Sequence, residues 1–289
     1  MLQVRKLYID SRFATKGNSS KFEVDLGESL TLPKDTVAYI TSALIPCAWD
    51  TVDESNRNFY ILERSSASTF KGRIVQLTVG PHDSESLRNN LETVLNGPNK
   101  IVSGNYTVTR VSASSNASGG AAYRYLSIGL SGSGSSGTFV VPSQENLQDA
   151  MWYAAWATVY NGMPYNTQHP HSTNELFSFS GADTYDTVHL SSFVDLRSKH
   201  SVYIHSPSFG SYSSLGPKGN RTILAKIPVD QSYGSLIKYH ASGFSHDYIE
   251  IGAGAVRTLQ FELRDAYGEL LNMQGSNWSM TILFAERPR

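Results

Sequence analysis

YIDSRFATKGNSSKFEVDL (residues 8–26) places two extended runs on either side of a short polar turn at the start of the chain. In the second run Phe22, Val24 and Leu26 alternate with Lys21, Glu23 and Asp25, the period-two pattern of a strand with one buried and one wet face. A chain that begins with a strand pair and no helix points to a β-sandwich whose N-terminus is held in the sheet system.

Outward from this stretch the same signal recurs at short spacing, as in a sandwich or barrel. TVAYITSALIP (36–46), bracketed by Pro33 and Pro46, is apolar on both faces, as an interior strand is. NFYILE (58–63), GRIVQLTV (72–79), NYTVTRV (105–111) and YRYLSIGL (123–130) follow, the last two joined by the flexible SASSNASGGAA. After the middle of the chain come TYDTVHL (184–190), SVYIHS (201–206), RTILAKIPV (221–229), SLIKYH (235–240), VRTLQFELRD (256–265) and WSMTILFAE (278–286). LRDAYGELLNM (263–273) reads as a turn centred on Tyr267 and Gly268.

One segment breaks the pattern with a helical period. In HDSESLRNNLETVLNGP (82–98), Leu87, Leu91, Val94 and Leu95 share a face, Asp83 or Ser84 caps the start and Gly97-Pro98 ends it. SQENLQDAMWYAAWATVYNG (143–162) predicts a second helix, and MPYNTQHPHSTNELF (163–177) an irregular aromatic loop. The expected organisation is one jelly-roll-type all-β sandwich over 1–125 and 182–289, with a Gly/Ser-rich and aromatic insertion over 126–181.

Bulk properties narrow the function classes. The formal net charge is −1 and the pI about 6.7, which gives no long-range field favouring nucleic acid or an anionic membrane. Charged residues make up 17%, below the roughly 25% of ordinary soluble domains. A neutral polar surface suits contact between subunits, where burying charge is costly. The single Cys47 sits in ALIPCAWD and reads as a buried structural thiol. No apolar leader region and no run long enough to span a bilayer is expected. Five Asn-x-Ser/Thr matches, at Asn18, Asn105, Asn116, Asn220 and Asn277, are ordinary for so Ser/Thr-rich a chain.

Chemistry-bearing motifs are weak. Gly132, Gly134 and Gly137 spell G-x-G-x-x-G, but a dinucleotide loop requires a helix N-terminus next, and strand-like TFVVP follows. His169 and His171 in HPH lack further ligands and read as a solvent-exposed loop. His240 and His246, near Asp247, have no local geometry that marks a catalytic set. No catalytic residue, cofactor or metal ligand is assigned, and no enzyme activity is expected. Trp49 and Trp278 read as core, and Trp152 and Trp156, four residues apart, as anchors for the insertion or for a neighbouring subunit.

Several phrases resemble one family when taken together: YIDSRFAT (8–15), LPKDTVAYITSALIPCAWDTVDESNRNFYI (32–61), YIHS (203–206), LGPKGNRTILAKIPV (215–229) and LQFELRDAYGELLNMQGSNWSMTILF (259–284). They resemble the penton, or vertex, capsid proteins of polinton-like viruses and virophages, which are related to the adenovirus penton base. The resemblance covers both β-rich flanks and leaves the middle unmatched. It implies a single jelly roll, five copies of which close around an icosahedral vertex of a double-stranded DNA virus. Partners would be the chain itself as a homopentamer, neighbouring major capsid capsomers and a vertex spike or host receptor, and its place the virion. It also implies that the first strands pair with the last, with SKFEVDL in the sheet system of LQFELRD and SMTILF.

Under that reading HSPSFGSYSSLGPKGNRT (205–222) and the segment from Trp152 to Tyr165 are contact or outward-facing regions, with Lys218 and Arg221 positioned to pair with a neighbour's carboxylates. Three alternatives compete: a minor or cementing capsid protein, a receptor- or glycan-binding module using Trp152 and Trp156, and a hydrolase in which scattered His and Asp converge.

Overall fold

A computed structural model describes residues 5–33, 35–112, 123–132, 137–149, 171–177, 179, 185–191, 194–209, 215–216, 219–241, 248–251 and 254–286. Along the chain the strands are β1 (Arg5–Asp10), β2 (Lys16–Asn18), β3 (Lys21–Leu32), β4 (Thr36–Pro46), β5 (Asn58–Ser66), β6 (Thr69–Gln76), β7 (Asn105–Ser112) and β8 (Tyr123–Ser131). They continue as β9 (Thr138–Val140), β10 (Val188–Leu190), β11 (Ser201–His205), β12 (Ile223–Pro228), β13 (Leu236–His240), β14 (Ile249–Ile251), β15 (Gly254–Arg264) and β16 (Ser279–Glu286). Helices among the described residues are α1 (Ser84–Leu95), α2 (Gln144–Gln148) and α3 (Asn174–Phe177). The fold is an all-β jelly roll built from antiparallel sheets.

Two compact units divide the chain, one formed by Met1–Trp49 with Lys199–Arg289 and the other by Asp50–Ser198. Composition set the edges of the insertion at 126 and 181 instead. The difference has a plain cause: β5 to β8 carry the same strand periodicity as the flanks, so nothing in the local pattern marks residue 50 as the start of a separate core.

The flanking unit is the sandwich. One sheet has the order β1-β16-β4-β13, with β14 also on β4, and the other the order β12-β11-β15-β3-β2. β4 is paired along both edges, with β16 on one side and β13 and β14 on the other. That is why its sequence is apolar on both faces. The N-terminus is fixed as its sequence implies: Ile9 lies opposite Met280 across β1 and β16, and Phe22 opposite Phe261 across β3 and β15. LQFELRD and SMTILF thus hold the two opening strands in different sheets of one sandwich.

The inner faces of these sheets share one core. Phe22 packs 5.8 Å from Phe261 and edge-on to Trp278 at 5.4 Å, ring centre to ring centre. Trp278 Nε1 donates to the Ser19 carbonyl at 2.7 Å, so the buried indole loses no hydrogen bond. Where β11 ends, the Pro207–Phe209 turn brings Phe209 against Phe284 at 5.7 Å and closes the core.

The second unit has its own core, built by the sheets β6-β5-β9 and β10-β8-β7 with α1. Asp83 accepts from Ser86 N at 2.7 Å while Ser86 Oγ accepts from Asp83 N at 3.0 Å, a reciprocal cap that starts the helix. Leu87, Leu91 and Leu95 are buried, one side of the helix as the period requires. β14, three residues long, was not among the expected strands. Of the helix expected over 143–162, α2 is formed under a Ser143 cap, and 150–162 lie outside the described residues.

Candidate assembly surface

The loop from His205 to Thr222 is tied down at its root. Ser206 N donates to the Thr222 carbonyl at 2.9 Å, joining its two ends. Thr222 Oγ1 donates to Asn220 Oδ1 at 2.7 Å and accepts from His205 Nδ1 at 3.0 Å. Beyond the end of β11, Ser206 Oγ donates to the Gln260 carbonyl at 2.7 Å and Gln260 N to Ser208 Oγ at 2.9 Å. Side chains thus satisfy the β15 backbone groups that a longer β11 would have met. At the far end Gly216 N donates to the Asn220 carbonyl at 2.7 Å, with Gly219 at φ +76°, a left-handed conformation that suits glycine.

Of the residues the sequence singled out as contact candidates, Arg221 is exposed in this loop; so is Leu215, at 75%. Lys218, Trp152, Trp156 and Tyr165 lie outside the described residues.

The side of the β15 sheet away from the core carries an ion network that the sequence did not signal, because its members come from two strands far apart in the chain. Glu262 lies between Lys21 Nζ at 2.8 Å and Arg264 Nη2 at 2.6 Å. Burial alone raises the Glu262 carboxyl, but the Lys21 and Arg264 bonds outweigh it and hold the group below its ordinary range. His205, opposite Glu262 in the register, is pushed down to about 4 by burial first and by the Arg264 charge second, with Glu262 opposing. It is a neutral ring at ordinary pH.

A second buried network sits in the other unit. Glu63 Oε1 meets Arg73 Nη2 at 2.9 Å and accepts from Tyr106 Oη at 2.9 Å, and its Oε2 accepts from Ile101 N at 3.1 Å. Arg73 Nη2 also donates to the Leu95 carbonyl at 2.7 Å, at the last turn of α1. Glu63 and Arg73 are both buried, so the pair ties α1 to β5 and β6. These groups meet one another inside the core of the unit, which is structural chemistry.

The other candidates resolve as follows. Cys47 is buried, and burial first and the Asp230 charge second push its thiol up to about 11, far from a nucleophile. Trp49 and Trp278 are core residues, as their sequence context suggests. His171 is not the solvent-exposed loop residue its Pro context implied: it is buried, with Nδ1 3.1 Å from Glu175 Oε2 at the start of α3. His240 is exposed on β13, and His169, His246 and Asp247 lie outside the described residues. β9 follows the glycine run, so no helix N-terminus is there to hold a pyrophosphate. Among the described residues no group of three or more His, Cys, Asp or Glu is placed to hold a metal ion, and no helix is long and apolar enough to cross a membrane.

No protein-family model matches the chain, and no curated protein matches it. Among solved structures the chain is similar to the selenomethionine-labelled mavirus penton protein, with a TM-score of 0.54 and 11% sequence identity, over 98% of this chain and 99% of that one. The two share a fold over essentially their whole lengths.

Proposed function

We propose that the chain is a penton, the capsid protein that forms a closed ring of five copies at the vertices of an icosahedral double-stranded DNA virus. The observation that carries this reading is the fold likeness to the mavirus penton protein, which spans both units and leaves neither chain with a large unmatched part. The low proportion of charge and the absence of a recognisable catalytic set in the sequence support a building role over a chemical one.

The mechanism is then assembly. A five-fold ring uses head-to-tail contacts that close, so each copy presents two different complementary patches. Such permanent interfaces bury on the order of 2,000 Å² or more. The 205–222 loop, tied together at its two ends, contributes to one of them, with Arg221 exposed on it, and capsomers of the major capsid protein meet the outer rim. Negative-stain images of the purified protein test this: five-fold rings are expected, whereas uniform single particles of one chain's size would refute it.

A further inference from the structure

We infer that the core of the second unit is a binding site for resident water, with separate molecules held by Nε and by Nη1 of the Arg73 guanidinium as fixed parts of the fold. The inference is independent of the ring, since every residue in it lies within Asp50–Ser198. A guanidinium carries five N–H donors and keeps its charge inside a protein. Arg73 Nη2 donates to Glu63 Oε1 at 2.9 Å and to the Leu95 carbonyl at 2.7 Å, which uses both of its protons. Nε and Nη1 hold the remaining three, are buried, and meet no acceptor in the protein. The side chain is 5% exposed, so bulk solvent does not serve them.

The rest of the network is complete. Glu63 accepts from Arg73 and from Tyr106 Oη on one oxygen and from Ile101 N on the other. Arg73 is pinned by Glu63 and by the end of α1, so it has no route by which to turn its free protons outward. Unmet donors on a buried cation are among the costliest groups a fold can carry, and native structures pair them. Buried water takes such positions, bonded to polar groups that no protein atom satisfies.

The same residues favour water over a small anion. Glu63, which is fully buried, already balances the Arg73 charge, and an anion would add an uncompensated charge beside an apolar core. The planar fork agrees. No edge of a guanidinium presents the Nε proton next to an Nη1 proton, so one bidentate anion cannot take both, whereas separate neutral acceptors can. Arg73 Cζ lies 6.0 Å from the centre of the Tyr106 ring, which covers one face of the group and leaves its edges for the water. The end of α1 is thus joined to β5 and β6 by a hydrated cation rather than by a dry ion pair.

A crystal structure of the full-length wild type, at a resolution where ordered water is visible, tests this, with a second data set from crystals soaked in sodium bromide. In each copy of the chain one density peak is expected about 2.7–3.2 Å from Nη1 and a separate one at the same range from Nε. Neither peak should give an anomalous signal from bromine. Empty density around either nitrogen, or a protein acceptor standing where a peak is expected, overturns the assignment. A bromine signal at either position makes the occupant an anion and overturns it as well.

Discussion

His205 carries a pH-dependence whose sign is fixed by its burial. Its folded-state value is about 4 against 6.5 in an unfolded chain. Above pH 6.5 neither state holds the proton and the stabilising contribution is complete; between 6.5 and 4 the unfolded chain takes up a proton that the folded one refuses, and stability falls. His189, also lowered by burial, acts in the same direction. The midpoint of urea unfolding should drop between pH 6.5 and 4 by the equivalent of about 1–3 kcal/mol. His205→Gln should flatten that slope, and an unchanged slope would contradict the buried neutral ring. In the other unit Tyr106→Phe leaves Glu63 one donor short inside the core, a loss of about 1–3 kcal/mol by denaturant unfolding. At this scale Cys47, in an apolar stretch, and Trp49 and Trp278, at apolar strand ends, were legible as core. His171 was not, because its burial depends on α3 and on a bond to Glu175 that a Pro-His loop does not announce. The Lys21–Glu262–Arg264 network was invisible for the same reason: only the register of β3 against β15 brings its members together.

Elements were read well wherever a period ran long enough to define a face. The alternation of KFEVDL became β3, the two-sided TVAYITSALIP became a strand paired on both edges, and the four-residue spacing of Leu87, Leu91 and Leu95 became α1. β14 escaped because three residues give no period, and its pairing is supplied by Val37 and its neighbours on β4. Each element's worth is set by the core it faces. Phe22→Ala, which removes a ring from contact with Phe261 and Trp278, should cost about 3–5 kcal/mol, and Leu91→Ala about 2–5 kcal/mol. Because the two residues belong to different cores, calorimetry should show each substitution lowering a different part of the melting profile. Equal displacement of one sharp transition by both would contradict separate cores.

For the whole molecule, strand periodicity disclosed the all-β class and the family resemblance implied that the first strands close onto the last, while nothing local marked the division into units. Local pattern reports whether a residue faces a core, never which core, so residues 50–125 looked like more of the same sandwich and only 126–181 like an insertion, whereas the second unit runs from Asp50 to Ser198. The surface proposed for assembly rests on composition at this scale. Low charge pointed to subunit contact, and nothing in the local pattern says which strands would carry it. On the proposed function, this chain closes into a ring of five. Its most direct test is the mass of the purified protein by light scattering across a concentration series at two salt levels. A ring of five gives a plateau at five times the 31.8 kDa of one chain. A mass of one chain throughout the series would contradict it.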